Sequence, residues 1–220
     1  MIEVALIAFA YLIGSIPTAL LISKKFFGID IREYGSGNMG ATNTFRVLGS
    51  RYGTIVMIVD ILKGVVASSL YVIIPFYVDG DNELERTNLI IGLGMAAVLG
   101  HIFPIFAHFK GGKGVATLFG MVLAMQPIVA GCCVGVFLLV LYLTRYVSLS
   151  SILAAAMLPI SVLWIWNESE TLYRVFALFV ALLVIFTHQK NIGRLIRGVE
   201  SRIPIFKYRD RRKSRRKDEN

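Results

Sequence analysis

Charge is scarce through most of this sequence. Only 17% of its 220 residues are acidic or basic, against about a quarter in an ordinary soluble domain. Many of those few lie near the C-terminus, so the body of the chain has little with which to coat a globular core. Cysteine is nearly absent too: Cys132 and Cys133 are adjacent, inside an apolar run. Neighbouring cysteines are poor disulfide partners, and no metal-ligand spacing accompanies them, which excludes a disulfide scaffold or a structural zinc site. They read as small packing residues. The first apolar run opens Met1-Ile2-Glu3 with no basic leader and no small-residue cleavage site after it. It reads as a retained transmembrane helix, not a signal peptide.

What is abundant is apolar: 56% of residues are hydrophobic and the mean hydropathy is +0.69. The apolar residues come in runs long enough to cross a bilayer, which predicts an all-α, polytopic integral membrane protein. About seven spans are expected, near 3–23, 54–78, 88–107, 114–125, 127–144, 148–166 and 171–187. The fourth and fifth share one run, 114–144, split at Gln126-Pro127 because proline interrupts a helix. The fourth is shorter than the hydrocarbon core and needs protein cover or a thinned bilayer. Loop charges alternate. Lys24, Lys25, Arg32, Arg46 and Arg51 occupy one loop; Asp79, Asp81, Glu83 and Glu85 the next; Lys110 and Lys113 the next. Arg145 marks a further turn, Glu168 and Glu170 the one after, and a basic tail follows. The positive-inside rule then puts the N-terminus outside and the C-terminus in the cytoplasm; a five-span arrangement keeps the same sidedness. One transmembrane domain, 1–204, is expected, followed by a basic tail, 205–220. The formal net charge of +9 owes much to that tail, which after a membrane span suits anionic lipid headgroups better than nucleic acid.

Polar residues gather in three clusters. The first is Gly35-Ser36-Gly37-Asn38-Met39-Gly40-Ala41-Thr42-Asn43, followed by Arg46. Its glycines satisfy a G-x-G-x-x-G spacing, but a dinucleotide fold needs a preceding strand, and here a membrane helix precedes. Glycines still allow backbone N–H groups close to an anion. Ser36, Asn38 and Asn43 add side-chain hydrogen bonds, and Arg46 a bidentate phosphate donor. A plain glycine-rich turn is the alternative. The second cluster runs from His101-Ile102-Phe103-Pro104 to Phe109-Lys110-Gly111-Gly112-Lys113-Gly114. It lacks the Walker spacing, yet a glycine turn opening a helix, with Lys113 beside it, suits an anion; snorkelling interfacial lysines are the alternative. The third is His188-Gln189-Lys190-Asn191-Ile192-Gly193-Arg194, with Glu200 further on. His188 and Asn191 share a helical face, and Ser148, near Arg145, falls on the same side. All three clusters are expected on the cytoplasmic face, as a site for phosphorylated substrates. Asp60 and Lys63, inside the second span, are expected to pair with each other as structure. A transporter for a phosphorylated molecule would also show several spans, but it usually shows internal repeats, and none is visible. A membrane scaffold would explain the basic tail but not the three loops.

These clusters carry a resemblance. Gly35 to Asn43 with Arg46, Gly100-His101-Ile102-Phe103-Pro104 through Lys110 to Thr117, and His188-x-x-Asn191 resemble the three motifs of the bacterial acyl-phosphate:glycerol-3-phosphate acyltransferases, the PlsY family. Gly14-Ser15-Ile16-Pro17 and Asp60-Ile61-Leu62-Lys63-Gly64 also resemble it, and the likeness runs to about Glu200. It implies acyl transfer from acyl-phosphate to the 1-hydroxyl of sn-glycerol 3-phosphate, giving lysophosphatidic acid and phosphate at the start of bacterial phospholipid synthesis. It implies the bacterial inner membrane, with the active site on the cytoplasmic face. The His-x₄-Asp motif of the other acyltransferase class is absent: none of His101, His108 or His188 has an aspartate five residues on. No cofactor or metal is implied. Expected partners are acyl-phosphate, glycerol 3-phosphate and membrane lipids, with a soluble acyl-phosphate-making enzyme as a further candidate and no nucleic acid.

By the same resemblance, the catalytic residues are Ser36, Arg46, Lys113, His188 and Asn191. The substrate-binding residues are Gly35, Gly37, Asn38, Gly40, Asn43, Gly111, Gly112, Gly114 and Ser148. The first loop, with Ser36, corresponds to the acyl-phosphate pocket; Arg46, Lys113, His188, Asn191 and Ser148 correspond to the glycerol-3-phosphate side. The resemblance leaves His188 as either a general base or a positioning residue.

Overall fold

The computed structural model describes residues 1–78, 82–165 and 170–203. The basic tail and the acidic residues Asp79, Asp81 and Glu168 lie outside the described residues. Among those described there is no strand, and ten α-helices follow one another. They are α1 (Ile2–Ser15), α2 (Thr18–Phe27), α3 (Ala41–Leu48), α4 (Ser50–Ser68), α5 (Glu83–Ile102), α6 (Val115–Met125), α7 (Pro127–Thr144), α8 (Val147–Ile160), α9 (Thr171–Thr187) and α10 (Gln189–Ile196).

The seven expected apolar stretches are all helical, but they differ in length. Five segments are long and apolar enough to cross a membrane: Ile2–Phe27, Ser50–Ile73, Glu83–Ala107, Pro127–Thr144 and Val147–Ile165. A sixth is reached if Thr171–Thr187 and Gln189–Ile196 count together across their 62° bend. The helix α6 has 11 residues, about 16 Å at 1.5 Å per residue, roughly half a hydrocarbon core. The first span contains both α1 and α2, interrupted at Ile16-Pro17, where proline withholds its N–H and its ring collides with the preceding turn.

Glycines decide how the spans cross. A Cβ on Gly64 of α4 would strike the Thr117 carbonyl of α6, and one on Gly120 would strike the Ile61 carbonyl. The two backbones therefore touch, as small residues allow where no water drives helices together. A similar crossing joins α1 and α5, with Gly14 against Ala97 and Gly100 against Tyr11. The short α6 thus has its cover: Thr117, Leu118, Gly120, Met121 and Val122 are buried. The main apolar core joins α5, α6, α8 and α9 through Val98, Leu118, Met121, Leu158, Phe176 and Val180. A smaller cluster of Ala19, Leu20, Ile31, Met39, Val56 and Ala107 lies under the first glycine loop. By contrast α7 buries little beyond Val129 and Ala130 and exposes Leu138, Leu139, Tyr142 and Leu143, as a helix facing lipid should. Cys132 and Cys133, half-buried on this helix, are both free.

Candidate active site

The first glycine loop, between Ile31–Glu33 and α3, is held from within. Asn43, 1% exposed, accepts a hydrogen bond from the Ser36 N–H at 2.8 Å and donates to the carbonyls of Tyr34 at 3.0 Å and Ile31 at 3.3 Å. Asn38 accepts from the Gly40 N–H at 2.9 Å. Gly35 and Gly37 take left-handed φ values of 62° and 72°, which L side chains rarely adopt. Three amides at motif positions are therefore engaged inside the loop: Ser36, Gly40, and Gly37 on the Tyr34 carbonyl. Asn43, an expected side-chain contact for an anion, instead holds the loop's shape, whereas Asn38 engages only its oxygen and its Nδ2 donates to no protein acceptor among the described residues. Among the described residues, the N–H groups of Asn38, Ala41 and Thr42 donate to no protein acceptor, and α3 carries no side-chain cap. Those amides, the exposed Ser36 hydroxyl, the Asn38 side-chain amide and Arg46 are among the loop's free donors.

The second loop lies flat on the end of α5. The Gly111 N–H donates to the Ile102 carbonyl at 3.1 Å, and the Gly112 N–H to the His101 carbonyl at 3.1 Å. A Cβ on Gly112 would collide with the His101 ring at Nε2. These two glycines were expected among the substrate-binding residues; their own amides are engaged with α5, and their lack of a side chain allows the close fit. Gly114, left-handed at φ 79°, caps α6 through its backbone, and no side chain caps that helix. Its N-terminus, with the partial positive charge of unpaired N–H groups, therefore follows immediately after Lys113.

Lys113 reaches the third cluster. Its ammonium donates to the Asn191 side-chain oxygen. The Asn191 amide donates to Glu200 at 2.6 Å, Ser148 donates to the same carboxylate at 2.8 Å, and Arg194 donates to its other oxygen at 2.6 Å. Four segments thereby meet: the second loop, the start of α8, α10 and the chain after it. The bend between α9 and α10 falls at His188, which is 3% exposed. Its Nδ1 lies 2.8 Å from the Val184 carbonyl. A carbonyl only accepts, so Nδ1 carries the proton, and in the neutral ring Nε2 has a free lone pair.

Burial pushes the Lys113 amine down to about 8; the Glu200 carboxylate opposes this, while Arg194 and Arg46 add to it. Arg46 of the first cluster thus stands within electrostatic range of Lys113. Burial alone would raise Glu200, but hydrogen bonds from Arg194, Asn191 and Ser148 outweigh it and hold the carboxyl below its ordinary value. A cavity of about 560 Å³ opens where the first two loops face each other, lined by Asp30, Arg32, Glu33, Gly37, His108, Lys110 and Gly111. The Arg32 guanidinium, hydrogen-bonded to Asp30, holds that carboxyl down at about 2. Arg32 also donates to the Ala107 carbonyl at 3.3 Å, tying the loops across the cavity. Arg194 and Glu200 stood in the third cluster of the sequence but were given no catalytic or substrate-binding role of their own. Their signal was a cation and a carboxylate six residues apart just past a membrane span, which is weak by itself. No group of three or more metal-ligating side chains occurs among the described residues.

Apolar helices of bilayer length, with glycine loops and cations gathered where their ends meet, define a polytopic helical membrane protein with a polar chamber at one end. The glycerol-3-phosphate acyltransferase family model matches residues 4–198. A protein of that name from Fusobacterium nucleatum is 43% identical, covering 89% of this chain and 95% of its own length. One from Chlorobium limicola is 39% identical, covering 93% and 97%. The crystal structure of PlsY, an integral membrane glycerol 3-phosphate acyltransferase, in its glycerol 3-phosphate form superposes with a TM-score of 0.82 at 37% identity, covering 93% of this chain and 96% of that one. Its lysophosphatidic acid form gives 0.78 at 36% identity over the same shares. The chain belongs to the glycerol-3-phosphate acyltransferase family, in its integral membrane PlsY form.

Proposed function

We propose that the protein transfers a fatty acyl group from acyl-phosphate to the 1-hydroxyl of sn-glycerol 3-phosphate, releasing phosphate and lysophosphatidic acid. Relatives carry the acyltransferase name, and a solved one is described in glycerol 3-phosphate and lysophosphatidic acid forms. The observation that carries the reading is the Lys113–Asn191 contact beside buried His188, with Arg46 in electrostatic range. That arrangement offers two cations, an amide and an imidazole to one small phosphorylated alcohol.

Acyl-phosphate is a mixed anhydride with a good leaving group, so no covalent enzyme intermediate is needed. The site has to bring two anions together, orient one hydroxyl and stabilise charge as it develops. The Ser36 hydroxyl, the Asn38 side-chain amide and the free backbone N–H groups of Asn38, Ala41 and Thr42 receive the acyl-phosphate phosphoryl group. Gly35, Gly37, Gly40 and Asn43 keep that loop in shape. Lys113 and Arg46 neutralise the glycerol-3-phosphate phosphate, aided by Asn191 and Ser148 and by the uncapped start of α6 after Gly114. The His188 Nε2 accepts a hydrogen bond from the 1-hydroxyl and orients it. The hydroxyl oxygen bonds to the acyl carbonyl carbon, the bond from that carbon to the phosphate oxygen breaks, and the departing phosphate takes the proton. The single domain, 1–204, sits in the bacterial inner membrane with this site facing the cytoplasm. The basic residues of the tail, 205–220, outside the described residues, suit a partner of opposite charge, either anionic lipid or the soluble enzyme that supplies the donor.

Purified protein given palmitoyl phosphate should release phosphate only when glycerol 3-phosphate is also present, and lysophosphatidic acid should form in equal amount. Phosphate release that ignores glycerol 3-phosphate, or transfer from acyl-CoA but not from palmitoyl phosphate, would remove this reading.

A further inference from the structure

Inside the membrane, four polar side chains from three helices meet below the second loop, and the proposed reaction uses none of them. Asp60 and Lys63 are 1% and 5% exposed, one turn apart on α4, and joined at 2.7 Å. The Lys63 ammonium also donates to the Ile16 carbonyl, at the break between α1 and α2. Thr18, just past that break, donates to Asp60 at 3.2 Å. His101, 8% exposed, turns Nδ1 toward Asp60 at 3.7 Å. Its other edge underlies Gly112, and its carbonyl holds the Gly112 N–H at 3.1 Å. A pocket of about 10 Å³ is bounded by these residues and by Met39 of the first loop, too small for anything beyond one water.

An ion pair buried this deeply is a poor way to gain stability. Stripping water from two charges costs as much as their attraction returns, and a well-packed apolar pair is often as stable or more so. What charges add is direction, because each fixes its partners at one distance and orientation. Here the partners are the helix break that leads toward the first loop and the end of α5 on which the second loop lies.

We propose that Asp60, Lys63 and His101 are positioning residues that hold the Gly111-Gly112 turn against α5 and thereby place Lys113 at the glycerol-3-phosphate phosphate. This rests on the reading of Lys113 given above. The cluster touches no substrate; it acts through the loop. Removing one partner alone would leave an uncompensated charge and risk misfolding, so the informative variant replaces both: Asp60→Leu with Lys63→Met. A steric pair tests the other contact. Gly112→Ala drives a methyl into the His101 ring, and His101→Ala removes that ring.

Two readouts separate positioning from stability: hydrogen exchange of the 108–114 segment, followed by mass spectrometry, and KM for each substrate. The Asp60→Leu/Lys63→Met protein should keep its Tm, exchange the 108–114 amides at least about tenfold faster, and raise KM for glycerol 3-phosphate by about 10- to 100-fold, the scale of a small misplacement at a reacting centre. KM for palmitoyl phosphate should stay within about twofold. Gly112→Ala should show the same KM split, and His101→Ala by itself should show it as well, because it removes the ring on which the turn rests. Unchanged exchange in the double variant overturns the proposal, as does an equal rise in both KM values with a lowered Tm. Lys113→Ala is the control: if it leaves KM for glycerol 3-phosphate unchanged, the reading of Lys113 fails first, and the exchange data alone decide whether the cluster holds the loop.

Discussion

Lys113 carries the sharpest consequences at the scale of single residues. Its charge is close to titrating because burial has pushed the amine down to about 8, and the protonated form is the one that holds a phosphate. Affinity for glycerol 3-phosphate should therefore fall as pH rises through about 8, and a KM–pH profile that stays flat to pH 9 would contradict this. Lys113→Ala and Arg46→Ala should each lower kcat/KM by about 100-fold or more, the usual effect of removing one charge-stabilising donor, in protein that remains folded in detergent. His188→Gln should retain measurable turnover, since glutamine can still accept a hydrogen bond and the departing phosphate takes the proton. A loss as deep as that of Lys113→Ala, with glycerol 3-phosphate still bound, would instead make His188 the base. Glu200 belongs to stability. Its carboxyl is held below the unfolded value of 4.5, so it stabilises the fold above that pH. The contribution is lost as pH falls through the folded pKa.

Among the helices, α6 has the least freedom. It is too short to span, so it depends on the backbone contact made by Gly64 and Gly120. Gly120→Leu should force α4 and α6 apart at a cost of about 3 kcal/mol, seen as a lowered Tm in detergent. Activity should fall with it, because α6 begins immediately after Lys113. Leu139→Ala, on the exposed face of α7, should leave Tm and turnover unchanged. The bend between α9 and α10 has the same logic as the α6 crossing. His188 sits at the corner and Asn191 one turn on, so the corner's geometry sets the angle between the two.

At the scale of the molecule, the site is an agreement among helix ends. The loop that joins the end of α5 to the start of α6, the start of α8, α10 and the chain after it meet through the Lys113–Asn191, Asn191–Glu200 and Ser148–Glu200 contacts. Cysteines introduced at Asn38, Lys110 and Lys190 should thus be labelled from one aqueous compartment, the cytoplasm, in right-side-out and inverted vesicles. Labelling from opposite sides would break the chamber apart.

The apolar runs, the split at Pro127, the helical first apolar run and the pairing of Asp60 with Lys63 were all legible in the chain. Each follows from local rules: length against bilayer thickness, proline against helix, and the cost of a lone charge in lipid. The three motifs were legible as well, because glycines and cations between membrane helices have few other uses. Tertiary structure decided what each motif residue does. The chain shows that Gly111, Gly112 and Asn43 matter to a loop, but not that their hydrogen-bonding groups face inward, since an amide's partner depends on which backbone lies beside it. Nor could it show that Glu200 gathers Ser148, Asn191 and Arg194, a meeting that exists only once α8 and α10 are packed together. Composition and periodicity act along the chain and set the solvent each helix must inhabit. The chemistry of the site depends on distances between distant segments, and those are set by how the helices cross.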